Sequence, residues 1–186
     1  MAGAEEYKIR IKGYQWSDLL ELWHQILSRK TPDWDTGKAL EYFILRAFEL
    51  EGAEVVYPYS IYQGGEQIEQ IDGVIYISGL ACIVECKDYA PSAPISIEPI
   101  AKLRNQILRR PTGVMGSIFS TSGFTDSAIT LAQFMLPQAI LLWEGDDINY
   151  AVQSKLLCQS FLQKYRYCIE YGVPYYGISR GGIDLK

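Results

Sequence analysis

Ile71–Lys87, IDGVIYISGLACIVECK, is the stretch from which the rest of the chain is read. Two apolar, β-branched runs meet at Ser78-Gly79, a pair of residues suited to the two-residue turn of a β-hairpin. With that turn, Ile77 faces Leu80, and counting outward in step Asp72 faces Glu85. Opposed side chains on one face of an antiparallel pair lie roughly 4.5–5.5 Å apart at Cβ, so the two carboxylates repel and weaken a bare sheet. Lys87 follows Glu85 at strand spacing and shares its face. Two acids and an ammonium make a poor structural ornament, but they suit a divalent metal. Read as structure alone, they are an ion-pair cluster in which Lys87 neutralises Glu85 and Asp72, worth about 0–1 kcal/mol at a surface.

The 186 residues suffice for one domain with a sizeable core. With 48% hydrophobic and 21% charged residues the composition is globular rather than disordered. No apolar run approaches the ~18 residues of a membrane span, and MAGAEEYKIRIKG has no apolar core of a secretory signal. Cys82, Cys86, Cys158 and Cys168 show no CxxC spacing and His24 is the one histidine, which argues against a Cys/His zinc site. Unpaired thiols fit a reducing, cytoplasmic setting. The net charge of −5 counts against broad electrostatic capture of nucleic acid, though not against a local basic groove.

Along the chain, Met1–Gly13 alternates Lys8, Arg10 and Lys12 with Ile9 and Ile11, the pattern of a short edge strand or ordered arm. Ser17 is placed to cap a helix to about Ser28, with His24 at the edge of its apolar stripe. A second helix starts at Asp35 or Thr36 and runs to Glu51, with Leu40, Phe43, Ile44, Ala47 and Phe48 on one face. Ala53–Tyr59 reads as a strand entering a loop around Gly64-Gly65. The central hairpin follows, then a helix over Ile100–Arg110, a strand at Gly113–Ser120, a helix from Asp126 to Met135 and a strand at Ala139–Trp143. A long helix over Ile148–Tyr171 closes the fold, and the tail beyond Gly172 reads as loosely ordered. Helices alternating with strands in the second half imply parallel pairs, so the expected fold is α/β, a mixed sheet with a central antiparallel hairpin flanked by helices. The expected organisation is an N-terminal arm and helix at 1–34, a catalytic-type domain at 35–172 and a tail at 173–186.

Glu41 is the anomaly of the second helix. At helical spacing it falls on the flank of the apolar arc, too deep to complete a capping box, although an acid near a helix N-terminus is favoured by the macrodipole. Ser120, Thr121, Ser122 and Thr125 precede a helix N-terminus, a place suited to a phosphate, although Thr125 serves equally as a plain N-cap. The tyrosines Tyr57, Tyr59, Tyr62 and Tyr89 could stack bases or simply fill the core and its rim.

Glu41 on an amphipathic helix, Asp72 in QIDG, Glu85-Cys86-Lys87 and the downstream STSGFTDSA together resemble the PD-(D/E)XK nuclease superfamily, and the order of parts is similar to its Mrr-type restriction endonuclease branch. The resemblance runs from about Gly37 to Ile148. Ile71 stands where the superfamily name has Pro, and Glu85 where Mrr-type members often carry Gln. The resemblance implies a restriction-endonuclease-like fold and a DNA backbone hydrolase, with RNA not excluded as substrate. Hard carboxylate oxygens suit Mg²⁺, with Mn²⁺ as a substitute. Asp72 and Glu85 would be ligands, joined in the family pattern by the Cys86 carbonyl, with Glu41 binding through water or at a second position. Lys87 would hold the attacking water or help deprotonate it. Lys102, Arg104 and Gln106 on the next helix would line the nucleic-acid path, with Ser122 and Thr125 holding a phosphate. Cutting a duplex suggests a homodimer, because one active site cuts one strand. The rival expectation is a non-catalytic nucleic-acid-binding or protein-interaction module on the same fold, which the charge of −5 favours slightly.

Overall fold

A computed structural model describes residues 3–178. A five-stranded mixed sheet, in the order β1-β4-β5-β6-β7, is built from β1 (Glu54–Val56), β4 (Gly73–Ile77), β5 (Leu80–Lys87), β6 (Val114–Ser120) and β7 (Ile140–Trp143). β4 is antiparallel to β1 and β5, while β5, β6 and β7 run parallel. The Ser78-Gly79 turn is where the sequence places it: both residues are left-handed (φ 50 and 79), and Ile77 pairs with Leu80.

Strand alternation divides the core in two. Ile75, Cys82, Val84 and Cys86 pack beneath α1 (Ala4–Lys12), α2 (Trp16–Leu27), α3 (Lys38–Leu50), α6 (Gly145–Gln153) and α7 (Leu157–Tyr171). Ile71, Val74, Ile83 and Ile118 pack on the other face beneath α4 (Ile97–Leu108) and α5 (Asp126–Phe134). Two glycines set how closely the helices approach. A Cβ on Gly73 would stand 2.6 Å from Leu45 Cδ2 of α3, and one on Gly116 would stand 2.8 Å from Leu103 Cδ2 of α4.

Four local expectations change. The N-terminal segment is helix, not strand: Tyr7 and Ile11 are buried one turn apart, Glu5 and Glu6 open the helix, and Ile9 faces solvent. The α2 cap is Gln15, whose N–H donates to Asp18 Oδ2 at 2.8 Å, rather than Ser17. Gly64-Gly65 is the tip of a second hairpin, β2 (Tyr59–Gln63) and β3 (Glu66–Ile71), whose Tyr59, Ile61, Tyr62, Ile68 and Ile71 do not keep a strand's alternation. The single C-terminal helix is two, broken at Lys155 (φ 55), and Glu51 accepts from the N–H groups of Leu157 and Cys158 (2.7 and 2.8 Å) to cap the second.

Residues 173–178 are packed rather than loose. Leu142 N–H donates to the Pro174 carbonyl at 3.1 Å, and Ile178 N–H to Asp147 Oδ1 at 2.9 Å. Lys164, fully buried, pairs with Asp147 at 2.7 Å and donates to the carbonyls of Leu142 and Tyr176. The remainder of the expected tail, 179–186, lies outside the described residues. No described helix is long and apolar enough to cross a membrane.

Candidate active site

Asp72 is the residue at which the chain leaves the β2–β3 hairpin and enters the main sheet. Its Oδ2 accepts the Cys86 backbone N–H at 2.9 Å, which fixes the carboxylate across the hairpin from Glu85. Alternation from Ile83 puts Asp72, Glu85 and Lys87 on the face that α4 covers. Glu85 is completely buried, and its oxygens are taken by two ammonium groups. Lys87 Nζ bonds Oε1, and Lys102 Nζ reaches both oxygens at 2.9 Å. Lys102 is therefore a partner of the site itself, anchored on α4.

Glu41 projects from the first turn of α3, where Gly73 lets that helix settle on the sheet. It is 8% exposed and pairs with Lys38 Nζ at 2.7 Å. Burial, and then the charge of Asp72, pushes the Glu41 carboxyl up to about 7, against the pull of Lys38. Burial and Glu85 likewise raise Asp72, although the Cys86 N–H, Lys87 and Lys102 oppose them. For Lys87, burial favours the neutral amine, but Glu85 and Asp72 outweigh it and the group is raised from its usual value. The three acids thus feel one another, and lysines meet most of their charge.

Among the described residues, no group of three or more His, Cys, Asp or Glu side chains is gathered closely enough to hold a metal ion. The expected four-residue cluster is therefore looser than its sequence suggests. Lys38 pairs with Glu41, and Lys87 and Lys102 pair with Glu85, so ammonium groups occupy two of the three carboxylates. The Cys86 thiol points into the opposite core, its acidity suppressed by burial first and the nearby acids second, which leaves only its carbonyl as a donor toward the site.

The expected nucleic-acid-binding residues divide. Arg104 is exposed on α4. Gln106 is not on a surface path: it is 2% exposed, and its Nε2 donates to the Gln70 carbonyl at 3.0 Å, bracing α4 against the strand that leads to Asp72. Ser122 is buried with its N–H and hydroxyl engaged by Ser120 Oγ, both at 3.1 Å. Thr125 Oγ1 caps α5 by accepting from Ala128 N–H at 3.2 Å. The Ser122 hydroxyl is thus engaged within the Ser120–Ser122 pair, and Thr125 Oγ1 serves as an acceptor at the helix end. His24 is exposed and away from the site residues' contacts.

Sequence reasoning passed over Lys38, although its spacing from Glu41 is that of a helical ion pair. It also passed over Asp88, which accepts from Thr121 Oγ1 at 3.2 Å and Arg29 Nη1 at 3.1 Å at the exit of β5. Nothing in the sequence pairs Arg29 with a residue so distant.

Residues 35–152 match the Mrr catalytic-domain model, described as "Restriction endonuclease". The chain belongs to that family. The match spans the Mrr-type elements from the start of α3 to the end of α6, and so contains Glu41, Asp72, Glu85 and Lys87. Similar solved structures are the DNA modification-dependent restriction endonuclease AspBHI (12% identity, TM-score 0.45, 88% of this chain and 42% of that one) and the MspJI restriction endonuclease in complex with a 27-mer oligonucleotide (14%, 0.43, 85% and 33%). A third is the protein of unknown function AF1548 (14%, 0.39, 73% and 79%). This Mrr-family chain thus spans less than half the length of the first two. No curated protein matches it.

Proposed function

We propose that the protein is a Mg²⁺-dependent endodeoxyribonuclease that hydrolyses DNA phosphodiester bonds in restriction or defence. One observation supports this above the others: Asp72, Glu85 and Lys87 stand together on one sheet face, inside the span of the restriction endonuclease family model. The nuclease unit would be 35–172, with the described residues of the 1–34 segment, 3–34, packed on α3 as its support.

The donor types suit a hard divalent cation, although no three acids among the described residues are gathered closely enough to enclose one. The site offers carboxylate oxygens from Asp72 and Glu85, with the Cys86 carbonyl, and Glu41 to bind through water or a second position. Glu85, with no exposed surface, already gathers two cations, which is the electrostatic demand that such an ion answers. When bound, Mg²⁺ supplies an activated water and neutralises charge on the phosphate. Lys87 orients that water and meets charge developing on the scissile group. Lys102 on α4 is free to turn from Glu85 to a phosphate oxygen, since 48% of its side chain is exposed. Arg104 extends the same helix toward the strand, and cutting both strands of a duplex would require a second copy. Four free cysteines fit a reducing compartment such as the cytoplasm.

Cleavage of plasmid and oligonucleotide DNA with Mg²⁺ or Mn²⁺ tests this, with an RNA arm to decide the substrate. Asp72→Ala and Lys87→Ala are each expected to lower the rate by about 10²–10³-fold, the scale of losing one group that stabilises transition-state charge. A wild-type protein that binds no divalent ion, with neither substitution altering any activity, overturns the proposal. The pairing of every site carboxylate with a lysine or a backbone N–H also supports a second reading, a nucleic-acid-binding module without catalysis. Tight DNA binding with no cleavage in either metal would select it.

A further inference from the structure

Beside the site is a cleft of about 440 Å³, lined by Arg29, Lys30, Pro32, Trp34, Thr36 and Asp88. Asp88 is the next residue after Lys87, so the cleft begins where the candidate active site ends. Its other wall is the connection between α2 and α3, whose Arg29 and Lys30 precede the span of the family model while Thr36 falls inside it.

The chain is built unusually there. Arg29 N–H donates to the Ile26 carbonyl (3.0 Å) and Lys30 N–H to the Gln25 carbonyl (2.9 Å), the paired bonds of a Schellman helix end. That motif needs a left-handed residue and usually takes glycine, yet here an arginine holds φ 57. A long cationic side chain in that conformation is strained relative to glycine, and strain of this kind tends to collect at functional sites. Arg29 Nη1 and Nη2 reach Asp88 Oδ1 and its carbonyl (3.1 and 3.2 Å), and Thr121 Oγ1 holds the same carboxylate. Asp88 therefore aims the guanidinium at the mouth of the cleft, and 42% of the Arg29 side chain remains exposed. Lys30 is exposed and joins no ion pair among the described residues. Pro32 and Thr36 are exposed as well, so the cleft offers two cations, a prolyl face and a hydroxyl.

We propose that this cleft is a phosphate-binding subsite for the DNA strand flanking the scissile bond, with Arg29 and Lys30 contacting its backbone. The proposal rests on the nuclease reading and deepens it. In a chain of net charge −5, capture of a polyanion must be local. Arg29 pairs with Asp88 at the exit of β5 and Lys102 pairs with Glu85 from α4, so cations reach the site from two different elements. Arg29 and Lys30 lie ahead of the matched residues 35–152, so both cations of the subsite come from a segment outside the family match.

The test is binding of a fluorescein-labelled DNA duplex, with Ca²⁺ replacing Mg²⁺, across a salt series, for wild type, Lys30→Gln and Arg29→Gly. Arg29→Gly keeps the helix end in its favoured residue type, and thermal melting verifies that both variants fold. Each cation that contacts a phosphate contributes roughly 0.9 to the slope of log affinity against log salt on B-form DNA. Each variant is therefore expected to bind more weakly and to lower the slope magnitude by about that amount. Unchanged affinity and slope in both variants, while wild type binds and cuts, overturn the subsite alone, as does weaker binding at an unchanged slope. A wild type that neither binds nor cuts DNA removes the nuclease reading and the subsite with it.

Discussion

Replacing Gly73 by alanine tests whether the approach of α3 to the sheet assembles the site. A Cβ at this position would lie 2.6 Å and 2.7 Å from the two Leu45 methyl carbons and 3.1 Å from Cγ. Carbons rest at roughly 3.5–4.0 Å, so the leucine must withdraw by about 1 Å. Leu45 has no exposed surface and is walled in by Tyr42, Phe48 and their neighbours, which leaves withdrawal of the helix as the remaining response. Overpacking of this kind costs about 1–3 kcal/mol. For a domain of this size each kcal/mol lowers Tm by roughly 2–4 °C. Glu41 sits one turn before Leu45 and moves with it, and displacing a reacting or positioning group by about 1 Å can lower a rate by ~10²-fold. Urea denaturation and plasmid cleavage would be measured on Gly73→Ala, Leu45→Ala and the double variant. Leu45→Ala alone leaves a void and costs about 2–5 kcal/mol. In the double variant the new methyl enters that void, so the two losses are expected to fall short of their sum by about 1 kcal/mol or more, with partial recovery of cleavage. Losses that add to within about 0.5 kcal/mol would refute the steric argument, because non-interacting sites add to that precision.

Two further predictions concern stability. Lys164→Met removes the ammonium that faces Asp147 in the core and should cost about 3–5 kcal/mol in urea denaturation, whereas adding Asp147→Leu should recover part of the loss, the Ile178 N–H then losing its acceptor. Glu69 is bonded by Arg110 (2.7 and 3.0 Å) and by Arg109. Burial raises its carboxyl, but Arg110 and then Arg109 outweigh it and hold the group below 4.5. A depressed folded-state value adds stability that is complete above 4.5 and lost as pH falls through the folded value. Glu69→Gln should therefore lower Tm at neutral pH and flatten its fall on the acid side, measured by thermal melts across pH.

The alternation of helices and strands in the second half, the turn at Ser78-Gly79, the facing of Asp72 and Glu85, and the family were legible in the chain. They depend on local periodicity, and periodicity is written in neighbouring residues. Local pattern also misled where two readings competed. Lys8–Lys12 alternates like a strand, yet the burial of Tyr7 and Ile11 against α3 makes it a helix. The β2–β3 hairpin escaped notice because the apolar residues of YSIYQ and EQIEQI break strand alternation on both sides of a correct turn signal.

The condition of the site was decided only in three dimensions. Which cation answers Glu85 depends on where α4 places Lys102, and whether Glu41 feels Asp72 depends on how closely Gly73 lets α3 descend. Gln106 and Ser122 looked available in sequence and are buried among neighbours in the fold, while Thr125 caps α5. Arg29 and Asp88 meet across a long stretch of chain with no motif joining them. By itself, Ile71–Lys87 determines that two acids and a lysine share a face, since strand alternation allows nothing else. Their burial, and the lysines that hold their charge, come from distant segments whose approach is fixed by packing.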